Sequence, residues 1–182
     1  TGVQTCALPI FSTQVIFMLK NKYPISHTEY AFINAEGKLL PRGHLKVDRE
    51  VDLKKLMKTT QLGLSTVMVD RRQIGKTVPF PEKRTLSEDT AAWMSLMRRG
   101  FKSYGIPRVM MLYRVRSSQL SGNKARMAFN MLNNYLREKS IPLHKRFYYW
   151  SCYAVNGFAK RLRKSGGIPA EILQNFDQRY NR

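Results

Sequence analysis

Short β-forming runs alternate with amphipathic segments along this chain, and that alternation limits it to an α/β arrangement. Phe11 to Lys22 carries Val15, Ile16, Met18 and Leu19 at helical spacing and stops before Pro24. Thr28 to Asn34 alternates like a strand, and Ala35-Glu36-Gly37-Lys38 turns it toward a second extended piece. Asp52 to Thr59 reads as a short helix followed by Gly63, and Ser65 to Val69 as a compact strand. A helix from about Glu88 to Arg99 has Ser87 as its expected N-cap and Gly100 after its end. Arg108 to Val115 is a further strand, introduced by Tyr104-Gly105-Ile106-Pro107. Two helices follow, about Asn123 to Lys139 and His144 to Lys164, separated by Pro142. About four strands are too few for a self-sufficient doubly wound sheet. The pattern suggests an α/β domain capped by basic helices, and the low strand count agrees with a missing N-terminal portion.

Composition narrows the partners. Thirty-two Lys and Arg against twelve Asp and Glu give a formal charge of +20 over 182 residues, which calls for an anionic partner: nucleic acid, anionic lipid or a phosphorylated substrate. The two cysteines, Cys6 and Cys152, form no disulfide framework and no Cys/His cluster at metal-ligand spacing, which fits a reducing cytosol. His27, His44 and His144 form no ligand set, so no complete metal site is expected. Phe147 to Ala159, the longest uncharged aromatic stretch, falls short of the roughly 20 apolar residues a spanning helix needs. Thr1 to Ile10, TGVQTCALPI, looks like the conceptual translation of a short-read sequencing adapter and lacks the basic and apolar regions of a signal peptide. It is read as an assembly artefact, with the natural protein beginning upstream of Phe11.

The densest chemistry lies in Phe80-Pro81-Glu82-Lys83-Arg84-Thr85-Leu86-Ser87-Glu88-Asp89, ahead of Trp93. Acids in a first helical turn also serve the orphan amides and the macrodipole with no further role. Further pieces accompany this one in a fixed order. They are the Gln-containing helix Thr13-Gln14-Val15-Ile16-Phe17-Met18, Ser65-Thr66-Val67-Met68 with Asp70-Arg71, Tyr104-Gly105, Tyr113-Arg114-Val115-Arg116, and then Ser118, Leu120, Ser121, Asn123 and Lys124. From Ser12 to about Leu162 this ordered set resembles the second half of bacterial family 2 glycosyltransferases, which are inverting enzymes of the GT-A fold.

That resemblance implies a partial GT-A, nucleotide-diphospho-sugar transferase-like domain lacking its N-terminal nucleotide-binding half and followed by basic C-terminal helices. It implies transfer of a sugar from a nucleotide-diphosphate donor to a glycan or lipid-linked acceptor in cell-surface polysaccharide or lipopolysaccharide synthesis. One carboxylate must take the acceptor's proton. The family pattern maps that base to Asp89, which a helix N-terminus is expected to keep ionised, with Glu88 orienting acceptor hydroxyls or tuning the base. Thr90 stands where the family often has an aromatic residue, which puts acceptor identity in doubt more than reaction type. Ser65, Thr66 and Trp93 map to acceptor binding; for the first two, polar ends of a buried strand are the alternative. Arg114 and Arg116 map to the donor phosphates, with a sheet-edge salt bridge as the alternative; Arg84, five residues before Asp89, is placed to reach a donor phosphate or an acceptor anion, with a solvated charge as the alternative. The family's Asp-x-Asp motif, which holds Mg²⁺ or Mn²⁺, does not occur in this chain, so the cation is expected only in a longer parent and the chain alone is expected to be inactive.

From Lys124 to Lys164 there are ten Lys or Arg and one acid, Glu138, interleaved with aromatic residues. Such helices suit an anionic membrane surface and a peripheral place on the inner face of the plasma membrane, or else pack on a sheet with a solvated basic face. A basic nucleic-acid-binding or membrane-surface module without catalysis is the competing function, although no nucleic-acid-binding motif is recognisable. The chain thus divides into 1–10, the adapter-like segment; 11–122, the acceptor-side half of the GT-A domain; 123–164, the basic helices; and 165–182, a tail.

Overall fold

A computed structural model describes residues 7–75, 77–78, 80, 87–115 and 124–162. Helix α1 (Ala7–Asn21) leads into strand β1 (Ile25–Ile33), strand β2 (Leu39–Leu45) and the two-residue strand β3 (Glu50–Val51). Helix α2 (Leu53–Thr59) and a 3₁₀ turn (Leu64–Thr66) precede strand β4 (Val67–Val69) and the one-turn helix α3 (Arg71–Ile74). Helix α4 (Glu88–Arg98), strand β5 (Ser103–Arg114) and helices α5 (Lys124–Arg137) and α6 (Leu143–Leu162) complete the order. The sheet runs β2-β1-β5-β3, with β4 on the same edge of β1 as β2. Among the described residues, β1 and β5 pair in parallel and the other pairings are antiparallel. The expected α/β class is what the chain adopts.

Alternation along β1 assigns helices to the two faces. Ile25 points into the main core, with Leu56 and Met57 of α2, Trp93, Leu96 and Met97 of α4, Met131 and Tyr135 of α5, and Tyr149 of α6. Each fully buried Leu or Met there contributes about 1.5–3 kcal/mol from removal of apolar surface from water. Ser26 points the other way, and Gln14 of α1 crosses to it, donating to its Oγ at 3.0 Å and to the Thr66 carbonyl at 3.0 Å. The buried Tyr135 hydroxyl donates to the Met57 carbonyl and ties α5 to α2.

Polar residues also fill the centre of β1. His27, fully buried, shares a 2.8 Å hydrogen bond between Nδ1 and Ser103 Oγ, and burial lowers its pKa to about 4. Glu29 pairs with His44 Nε2 of β2 at 3.1 Å. Beside them, Gln61 accepts from the Asp48 amide and donates to its carboxylate, fixing the segment before β3. That carboxyl lies below the ordinary range although partial burial opposes ionisation, because bonds from Gln61 and Lys55 outweigh it. Gly105 lies so close to this segment that an added Cβ would sit 2.2 Å from the Asp48 carbonyl oxygen.

The elements depart from the sequence pattern at specific places. Helix α1 begins at Ala7 rather than Phe11, with Pro9 in its first turn where a missing amide is tolerated, and Ile10 is buried. Strand β5 starts five residues before Arg108 and runs through Pro107. This is possible because its register against β1 jumps from Ile106 to Val109, leaving Pro107 at an irregularity where no ladder amide is needed. Ser65 and Thr66 are not strand residues: Thr66 donates its hydroxyl to the Gly63 carbonyl at 2.8 Å and closes a 3₁₀ turn ahead of β4.

Candidate active site

Glu88 and Asp89 open α4, where unpaired amides and the helix dipole favour acidic side chains. Asp89 is only partly exposed, and its Oδ1 accepts its neighbour Thr90's amide at 2.7 Å. The carboxyl nevertheless lies above the ordinary carboxylate range, because burial outweighs the bonds from Thr90 and the adjacent Glu88 adds repulsion. The helix start was expected to hold this group readily ionised; desolvation reverses the direction and leaves a more basic carboxylate. A more basic carboxylate is a better proton acceptor once ionised.

Trp93 lies one turn on from Asp89 and belongs to the core, only 4% exposed. Phe80 meets it edge to face with ring centroids 6.0 Å apart. Its indole Nε1 has no hydrogen-bond partner among the described residues. Asn134 of α5, which the sequence pattern did not single out, donates to the Ser87 carbonyl at 3.3 Å and anchors the turn entering α4. Ser87 stands at the N-cap with φ 152° and makes no capping bond to the helix from its side chain. The helix start is held by α5 through Ser87's backbone instead.

The remaining candidate residues occupy other elements. Ser65 is exposed on the 3₁₀ turn, whereas Thr66 is fully buried with its hydroxyl on Gly63 and its carbonyl on Gln14. Thr66 thus braces the turn that carries Ser65, and in this arrangement its hydroxyl faces the protein rather than a ligand. Val67 and Val69 of β4 pack on the core that contains Trp93, which links this turn to α4 through apolar contacts. Arg114, at the end of β5, donates to the Asn34 and Ala35 carbonyls of the β1–β2 turn, a backbone-clamping role that the sequence pattern did not foresee. Arg84 and Arg116 lie outside the described residues. Among the described residues no group of three or more His, Cys, Asp or Glu could hold a metal ion.

No family model matches the chain. It is similar to TuaG of Bacillus subtilis (strain 168), provisionally described as a teichuronic acid biosynthesis glycosyltransferase, at 30% identity over 82% of this chain and 58% of that protein. An uncharacterised glycosyltransferase of Haemophilus influenzae is 28% identical over 81% of this chain and 57% of its own length. WfaP of Escherichia coli, a UDP-Glc:alpha-D-GlcNAc-diphosphoundecaprenol beta-1,3-glucosyltransferase, is 28% identical over 82% of this chain and 57% of its own. The chain spans little more than half the length of these curated relatives. The proteins that this chain resembles are glycosyltransferases, and its mixed sheet with flanking helices agrees with a partial GT-A-like domain.

Proposed function

We propose that the chain is the acceptor-side part of an inverting glycosyltransferase that moves a sugar from a nucleotide-diphosphate donor to a glycan or lipid-linked acceptor. The observation that carries this reading is Asp89, a partly buried carboxylate of raised basicity at the start of α4, in a chain whose relatives transfer sugars. In the proposed reaction the acceptor hydroxyl forms a bond to the anomeric carbon and gives its proton to the Asp89 carboxylate. The bond from that carbon to the diphosphate oxygen breaks on the opposite face, and the nucleoside diphosphate leaves with the electron pair. Backside displacement of this kind inverts the anomeric centre. Glu88 orients the acceptor, Trp93 shapes the wall behind the base, and Ser65 is the exposed hydroxyl available to a sugar. WfaP and WfgD of Escherichia coli are both named for a diphosphoundecaprenol-linked acceptor, which favours a lipid-linked substrate here.

In this reading the donor and its divalent cation belong to the part of the glycosyltransferase relatives that the chain does not cover. The matched portion alone is then inactive. The test takes the intact reading frame from source DNA, assays transfer from UDP-sugars to a lipid-linked acceptor, and compares Asp89→Asn. Near-normal turnover by that variant would remove Asp89 as base, and retention of anomeric configuration in the product would refute the single displacement.

A further inference from the structure

The outer side of the α5–α6 hairpin carries large apolar side chains that the described core leaves uncovered. On α6, Leu143, Phe147, Ser151 and Val155 recur every four residues, with His144 and Tyr148 beside them, so they form one stripe. Leu143, Phe147, Tyr148 and Val155 are 55, 46, 55 and 65% exposed. On α5, Phe129 is 63% exposed and lies on one helical stripe with Asn133 and Arg137. Single exposed apolar residues are ordinary, but five large ones on two adjacent helices mark an interaction surface. The hairpin cannot roll the stripe inward, because its inner side is fixed. Trp150 Nε1 donates to the Ala128 carbonyl at 3.0 Å, Arg146 holds the Leu136 and Ile141 carbonyls, and Tyr149 and Tyr135 are buried.

Charge decides the occupant. Glu138, the single acid between Lys124 and Lys164, is 3% exposed, and its carboxylate receives the Ser140 hydroxyl at 2.6 Å and Arg98 at 3.5 Å. Among the described residues, therefore, the two helices offer no carboxylate to solvent, while Arg137, Lys139 and Lys145 are exposed. Apolar side chains flanked by cations alone match a lipid interface: Phe, Leu and Val enter the acyl boundary while Lys and Arg meet headgroup phosphates. A nucleic acid would engage the cations and leave the apolar stripe in water, and a second copy would set cation against cation. No helix among the described residues is long and apolar enough to cross a membrane, which fits a helix lying in the interface. We infer that the outer face of the α5–α6 hairpin docks on an anionic lipid bilayer. This rests on exposure and charge, not on the sugar-transfer reading, and its test measures no catalysis.

The purified chain is floated with phosphatidylcholine vesicles with and without phosphatidylglycerol. Binding is expected only to the anionic vesicles and falls with added salt. Lys145→Ala is expected to weaken it about fivefold, the worth of one cation near a charged surface. Phe147→Ser and Phe129→Ser, at exposed positions and each checked by thermal unfolding, also weaken it, whereas Lys20→Ala on the exposed side of α1 leaves it unchanged. The inference is overturned by equal binding to both vesicles, by binding to neither, or by Lys20→Ala acting as strongly as Lys145→Ala. It is likewise overturned by a dimer that Phe147→Ser dissociates, or by duplex DNA that outcompetes the anionic vesicles.

Discussion

Replacing Gly105 by alanine is expected to destabilise the chain through one backbone clash. The new Cβ would lie 2.2 Å from the Asp48 carbonyl oxygen and 3.1 Å from His27 Nε2, so the backbone before β3 must retreat by roughly an ångström to restore ordinary contact. That segment has little freedom. The Gly105 amide donates to the Arg49 carbonyl at 2.9 Å, the Asp48 amide donates to Gln61 at 2.6 Å, and β3 pairs with β5 through Glu50–Tyr104 and Val51–Ser103. Overpacking a tight site costs about 1–3 kcal/mol, and weakening the Gly105–Arg49 bond adds roughly 0.5–1.5 kcal/mol. The smaller entropy of an unfolded chain with alanine offsets up to about 1 kcal/mol. These terms combine to a net of about 2.5 kcal/mol, or roughly 5–10 °C in Tm for a chain of this size. Differential scanning fluorimetry reads it directly. Gly157→Ala is the control: this glycine lies inside α6 with no atom within 4 Å of an added Cβ, so the substitution is expected to raise Tm by a few degrees. A Gly105→Ala protein melting within about 2 °C of the parent would show that the segment before β3 is not held against β5.

Stability should also depend on pH through His27. Its folded pKa of about 4 is below the unfolded 6.5, so the unfolded chain binds the extra proton between those values. The contribution, about 3 kcal/mol, is complete above pH 6.5 and lost as pH falls toward 4, and His27→Gln should flatten that slope in denaturant titrations. Tyr135→Phe removes the bond to the Met57 carbonyl and should cost about 1–2 kcal/mol by urea denaturation; no loss would mean that carbonyl is satisfied otherwise. Asp89→Asn in an active full-length parent should lower kcat by about 10²–10⁴ with KM little changed, as measured by initial rates.

The sequence pattern read α2, α4, α5 and α6 to within a residue or two, because periodic apolar spacing is a local signal. It read β1 and β5 short. Ser26, His27, Thr28 and Glu29 do not look like a buried strand until Gln14, Ser103 and His44 arrive from distant parts of the chain to satisfy three of them. Pro107 hid the first half of β5, since only the pairing register reveals the irregularity that accommodates it. At the candidate site, the acidic helix start was legible from Ser87-Glu88-Asp89, but the raised basicity of Asp89 was not, because burial comes from residues brought by the fold. Arg114 carried no signal separating a phosphate ligand from a clamp on the Asn34 and Ala35 carbonyls.

The parallel β1–β5 pair also sets a timetable for refolding. Antiparallel β1 and β2 are joined by a short turn from Asn34 to Lys38 and can meet on the microsecond scale of hairpins. Ile25 must instead find Ser103, and Ile33 must find Arg114, only after β2, β3, α2, β4 and α4 have been threaded between them. Nonlocal parallel pairing of this kind is intrinsically slow. Until β5 arrives, β1 keeps one hydrogen-bonding edge open, and another chain can occupy it. Dilution should therefore raise the yield of native chain more than added time does.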